Sequence, residues 1–190
     1  MARASEPARR PGRTPPLTVR SLIARGARRL QRAHVHFGHG TDNAWDEAAS
    51  LTLHALKLPH TGGPALYRRR VSAANAARAG KLIGRRIAER LPAPYLTGIA
   101  WFAGLPFMVD ARVLVPRSPL AELIERGFAP WADPERVRRI LDLGTGSGCI
   151  ATACARALPG TKVDAVDISA AALEVARINV RRHRLARRVP

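Results

Sequence analysis

The chain has 190 residues, a hydrophobic fraction of 46% and a formal net charge of +18. That hydrophobic content can build the core of one large domain or two small ones and excludes disorder along the whole length. The charge suits a polyanionic partner, but Lys57, Lys81 and Lys162 are the only lysines among 32 basic residues, an arginine bias that a GC-rich coding sequence produces without selection for binding.

Residues 1–16 are rich in proline, arginine and alanine with no hydrophobic period, and read as a disordered basic tail. From Leu17 a helical pattern begins. Leu22, Ile23, Ala27, Leu30, His34 and Phe37 share one face, while Arg20, Arg25, Arg28, Arg29 and Arg32 lie largely elsewhere and turn to water or RNA. Gly38-His39-Gly40-Thr41-Asp42-Asn43 forces a turn in which His39 has a local role, and Thr41 or Asp42 is placed to cap the next helix. That helix covers 45–58, with Ala48, Leu51, Ala55 and Leu58 on one side, and Pro59 with Gly62-Gly63-Pro64 ends it. Another spans 72–90 with Ile83 and Ile87 inside, until Leu91-Pro92-Ala93-Pro94 stops it. Residues 17–94 thus read as a small helical domain.

The period then becomes strand-like. Residues 95–110 predict a β-hairpin turning near Gly104, 112–117 an extended segment, and Ser118-Pro119 the cap and first turn of a helix through Leu120, Leu123 and Ile124. Residues 95–135 form a linker of hairpin and helix. From 136 the order is strand (137–143), glycine loop, alanine-rich helix, strand (162–167) and a helix capped by Ser169, with Ala172, Leu173, Ala176 and Val180 inward. The closing Arg181-Arg182-His183-Arg184 suits the negative end of that helix's dipole. Cys149 and Cys154, about 140° apart around one helix, suit neither a disulfide nor a metal site and read as reduced core residues. No run is long and apolar enough for a bilayer and no secretory signal opens the chain, so no membrane role and a cytoplasmic location are expected.

The chemistry concentrates in Asp142-Leu143-Gly144-Thr145-Gly146-Ser147-Gly148. A strand, a glycine-rich turn and a helix N-terminus make the entry to a nucleotide-type cofactor site. A dinucleotide loop spaces its glycines G-x-G-x-x-G to receive a pyrophosphate. Here the spacing is G-x-G-x-G and Asp142 ends the strand. A carboxylate there repels a pyrophosphate but serves a ligand that carries an ammonium and a sulfonium, which is S-adenosylmethionine. Asp167, about twenty residues on and at the end of the next strand, is placed to accept hydrogen bonds from both ribose hydroxyls. The candidate cofactor residues are Asp142, Gly144, Thr145, Gly146, Gly148, Asp167 and Ile168.

The Gly38–Asn43 turn, Tyr95-Leu96-Thr97, Ala100-Trp101-Phe102, Val113-Leu114-Val115-Pro116-Arg117-Ser118-Pro119 and Gly144-Thr145-Gly146-Ser147-Gly148-Cys149-Ile150-Ala151 resemble the bacterial protein-glutamine methyltransferases. Within them, the turn and the Arg117-Ser118-Pro119 step resemble the branch that modifies the third large-subunit ribosomal protein. The sister branch, acting on release factors, typically carries Pro-Arg-Pro-Asp-Thr-Glu there. The resemblance implies a substrate-recognising helical domain, a hairpin linker and a Rossmann-like class I methyltransferase domain. It also implies adenosylmethionine at the Gly144–Gly148 loop and Asp167, a glutamine amide as acceptor, and a ribosomal-protein partner met during ribosome assembly.

The family's acceptor motif, Asn-Pro-Pro-Tyr after the fourth strand, has no counterpart in the 190 residues, so no catalytic residue is assigned. The α/β unit from 136 to 190 corresponds to the first βαβα half of such a sheet. The expectation is a fragment or truncated product that is inactive alone and poorly stable, because two strands leave edges unpaired and one side of the pocket open. Competing readings are release-factor or RNA methylation, and a non-enzymatic ribosome-binding module built on the basic helical part.

Overall fold

The computed structural model describes residues 16–38 and 40–190, so the tail reading, except at Pro16, and the turn role of His39 lie outside the described residues. Helix α1 (Val19–Arg32) opens on a reciprocal capping box: Thr18 Oγ1 accepts from the Ser21 N–H at 3.2 Å and Ser21 Oγ accepts from the Thr18 N–H at 2.9 Å. The expected inward face holds for Leu22, Ile23, Ala27 and Leu30, but not for His34. The helix stops at Arg32, His34 takes a left-handed φ of 48°, and the chain turns Val35 inward in its place.

Helix α2 (Ala44–Ala55) is capped by Asn43, whose Oδ1 accepts from the Asp46 N–H at 2.9 Å, and not by Thr41 or Asp42. Thr41 instead donates through Oγ1 to Glu47 Oε2 at 2.9 Å. The helix also ends earlier than the expected Leu58, since Lys57 adopts φ 54°. The stretch expected to be only a terminator carries a short helix α3 (Pro64–Arg68), started by proline at its first position. Helix α4 (Ala73–Glu89) is capped by Ser72, whose Oγ accepts from the Asn75 N–H at 3.3 Å. Val19, Ile23, Leu30, Leu51, Leu53 and Ile83 pack these helices into one core. Inside it, Arg86 Nε donates to Glu47 Oε1 at 2.6 Å and Arg86 Nη2 to the His36 carbonyl at 2.8 Å.

Residues expected to begin a strand at Tyr95 form helix α5 (Ala93–Thr97). Pro92 and Pro94 preset helical entry, and Gly98 at φ 71° ends the turn. The hairpin is therefore shorter than expected: β1 (Ile99–Phe102) pairs antiparallel with β2 (Leu105–Met108), Phe102 opposite Leu105. Ala103 and Gly104, both at positive φ, make the two-residue turn whose twist matches the strands. Helix α6 (Leu120–Glu125) starts beyond Pro119, and Ser118 Oγ accepts the Leu120 N–H at 3.2 Å.

Strands β3 (Arg139–Leu143) and β4 (Lys162–Val166) are parallel, with Asp142 opposite Ala165, and they alternate with α7 (Cys149–Ala157) and α8 (Ala170–Arg182). Small sheets with helices in the order βαβα agree with part of a Rossmann-like unit. Ile140 and Val163 pack into the core with α7, whereas Leu141, Leu143 and Val166 on the opposite face stand exposed. The chain then returns along the sheet: the Val163 N–H donates to the Arg188 carbonyl at 2.8 Å, and Arg188 Nη2 donates to the carbonyls of Ala155 and Leu158. Among the described residues, no helix is long and apolar enough to cross a membrane.

Candidate functional site

The glycine loop is folded by its own polypeptide on three sides. The N–H groups of Gly144 and Thr145 both donate to the Val166 carbonyl at 2.9 Å, which ties the loop to the end of the neighbouring strand. Gly144, Gly146 and Gly148 all have positive φ, the region in which a side chain would be strained. At Gly148 space is tight as well, since a Cβ would lie 3.1 Å from the Ala176 Cβ and 3.2 Å from its Cα on α8. This third glycine therefore serves close approach of loop and helix.

Asp142 sits beneath the loop, with 8% of its surface exposed. Its Oδ2 accepts from Thr145 Oγ1 at 2.7 Å and from the Ala151 N–H at 3.1 Å. The carboxylate thus occupies the first turn of α7, where unpaired N–H groups and the positive end of the dipole gather. Asp167 lies across the loop: its Oδ2 accepts the Gly146 N–H at 2.8 Å and its Oδ1 the Ser169 N–H at 2.9 Å. These backbone bonds, that from Ser169 first and that from Gly146 next, hold the carboxyl below its ordinary value of 3.8. A depressed carboxylate stabilises its surroundings above the unfolded value, and that contribution disappears as pH falls through the lowered one. The Gly146 amide is therefore expected to keep its protection from hydrogen exchange on acidification to pH ~4 and to lose it below that, which amide exchange by NMR would read.

A cavity of about 290 Å³ opens between the loop and the extended segment 112–118. Gly144, Thr145, Gly146 and Asp167 line it, as do Val115 and Arg117 from the segment. Asp142, Gly148 and Ile168 lie outside the lining: the first two are buried behind the loop, and Ile168 projects fully into solvent beside Asp167. Cys149 and Cys154 are free and buried, as expected. Burial raises both thiols, that of Cys154 to about 11, so neither is a thiolate nucleophile at neutral pH. Among the described residues no cluster of His, Cys, Asp and Glu is arranged to hold a metal.

Two residues to which the sequence reading gave no part in this site hold it together. Asn179 is fully buried on α8, where its Oδ1 accepts the Met108 N–H at 2.7 Å and its Nδ2 donates to the carbonyls of Met108 and Ser147, each at 2.9 Å. One side chain thus joins the hairpin to the glycine loop. A polar residue on a stripe that also carries Ala172, Val175, Ala176 and Val180 was the available signal. Arg117 donates from Nη1 to the Gly38 carbonyl at 2.7 Å, linking the wall of the cavity to the glycine turn before α2. No short-range pattern connects residues that far apart.

The family described as "Methyltransferase small domain" matches residues 129–189. A protein of Bordetella pertussis named "Ribosomal protein uL3 glutamine methyltransferase" is 52% identical over 173 residues, covering 90% of this chain and 58% of that protein. A protein of Xanthomonas campestris pv. campestris with the same name is 54% identical over 162 residues, 85% of this chain and 53% of the relative. At such identity the chain is a homologue of both, and it spans little more than half the length of either. Among solved structures, the N-terminal domain of human METTL16 in complex with SAH aligns with a TM-score of 0.35 and 22% identity, covering 65% of this chain and 45% of that one, a likeness too loose to bear on the fold.

Proposed function

We propose, on the premise of homology to the ribosomal protein uL3 glutamine methyltransferases, that this chain supplies the adenosylmethionine site and the substrate-recognising helical part of such an enzyme. The observation that carries the cofactor reading is the position of Asp142. In loops that bind a pyrophosphate, the helix N-terminus is left open to the anion. Here a buried carboxylate already accepts the Ala151 N–H and cancels the positive end of α7. This favours a ligand without phosphate and with positive charge.

In this reading Gly144 to Gly146 form the wall against the ligand, and Asp167 accepts from the ribose hydroxyls with the lone pairs that its two backbone donors leave free. Ile168 offers an exposed apolar surface to the adenine, while Asp142 and Gly148 act from behind by fixing the loop. When bound, adenosylmethionine supplies an electrophilic methyl on a sulfonium. The acceptor, a glutamine amide, is a poor nucleophile whose nitrogen must be positioned, and the 190 residues contain no copy of the motif that does this in the family. The helical region 17–94 is assigned the recognition of uL3, and the enzyme works in the cytoplasm during ribosome assembly.

Isothermal titration of the chain is expected to show binding of S-adenosylhomocysteine and none of NAD. Asp167→Asn should weaken the former about 10- to 150-fold, the value of a lost charge-assisted hydrogen bond of ~1.5–3 kcal/mol. Binding of NAD, or of neither, would refute the cofactor reading. In a direct binding assay the chain should retain uL3 in preference to a release factor, and the opposite preference would move it to the sister branch.

A further inference from the structure

A second concavity, of about 630 Å³, lies between the C-terminal end of α2 and the hairpin. Its wall carries Lys57, Arg78 and Arg182, and its lining residues include no Asp or Glu. None of these three cations has an ion-pair partner among the described residues; Arg78 has only a hydrogen bond, to Asn75 at 2.6 Å. Trp101 of β1 lines the same groove with 47% of its surface exposed. His60 makes a T-shaped contact with that indole, centroids 5.6 Å apart and planes at 61°, so it is not stacked parallel on the ring. Burial, and then the neighbouring His54, hold the His60 imidazole below its ordinary value. The permanent positive charge of the groove is that of the lysine and the two arginines.

Cations without counter-ions beside an exposed, unstacked indole form the combination that single-stranded nucleic acid requires: charge for the phosphates and a flat apolar surface for a base. An acidic peptide would use the charge and leave the indole without a stacking partner, and a duplex keeps its bases stacked away from it. We propose that this groove binds single-stranded RNA, with a base on Trp101 and the backbone along Lys57, Arg78 and Arg182. None of these residues lines the cofactor cavity, so this inference and the methyl-donor reading stand or fall separately.

The test is fluorescence titration of the full chain with an oligoadenylate single strand at several salt concentrations. Binding should quench tryptophan emission and weaken as salt rises. Trp101→Ala should remove the quench and weaken binding about five- to hundredfold, the worth of one base–aromatic stack, while Trp101→Phe retains most of the affinity. Lys57→Gln together with Arg78→Gln should flatten the salt dependence by ~1.4 in slope, or ~0.7 for each lost phosphate contact. The control, Arg28→Gln with Arg32→Gln on the exposed side of α1, removes equal charge and should leave the quench intact. Absence of binding, affinity unchanged in Trp101→Ala, or displacement of the RNA by polyglutamate at equal charge concentration would each overturn the proposal, the last in favour of an acidic protein.

Discussion

Glu47→Ala is expected to destabilise the helical part by about 3–5 kcal/mol, because it leaves the guanidinium of Arg86 buried without its counter-charge. The two side chains are 1% and 4% exposed and meet at 2.6 Å, so water cannot replace the lost partner. The damage extends to the glycine turn, since Glu47 Oε2 also accepts from Thr41 and Arg86 also holds the His36 carbonyl. Urea unfolding followed by far-UV circular dichroism would measure the loss. Replacing both partners with apolar residues of similar volume, Glu47→Met with Arg86→Leu, should recover a large part of it, because the penalty comes from the unpaired charge. If Glu47→Ala cost less than ~1 kcal/mol, the range of an exposed pair, the buried pairing would be wrong.

The second large effect is expected at Asn179. Asn179→Leu keeps the branched outline of the side chain, in a larger volume, but strands the Met108 N–H, the Met108 carbonyl and the Ser147 carbonyl. At ~1–3 kcal/mol for each buried group left unsatisfied, the total should be at least about 3 kcal/mol. Asn179→Asp should be worse than the volume change alone predicts, since it exchanges two donated bonds for a buried negative charge facing two carbonyls. Because Asn179 joins the hairpin to the loop that carries Gly146 and Gly148, both variants should also weaken S-adenosylhomocysteine binding in calorimetry. A variant that unfolds more easily but binds normally would show that the hairpin contact supports stability alone.

The difference between the parts that could be read from sequence and those that could not follows from range. The Ser169 cap, the Gly104 turn and the succession of strand, glycine loop and helix each depend on residues within a few positions, where hydrogen-bond geometry and allowed φ are set by the side chains themselves. Local patterns misled where two of them competed. Pro94-Tyr95-Leu96-Thr97 combines residues that favour strands with prolines that favour a helical first turn, and the prolines prevailed because they fix φ before any strand partner is met.

The sequence alone determined that a glycine-rich loop between strand and helix lies from Asp142 to Gly148, that Asp167 follows at the end of the next strand, and that a basic helical region precedes them. Only the tertiary structure decided which way those acids turn. Asp142 and Asp167 look alike in the sequence, each ending a strand, yet one is buried at the start of α7 and the other borders the cavity. The pairing of Glu47 with Arg86, the reach of Asn179 to Met108 and Ser147, and the unpaired cations around Trp101 were equally hidden. A charged or polar residue has no inherent side of the chain to face. Its direction is fixed by the donors, acceptors and counter-ions that folding brings beside it from distant positions.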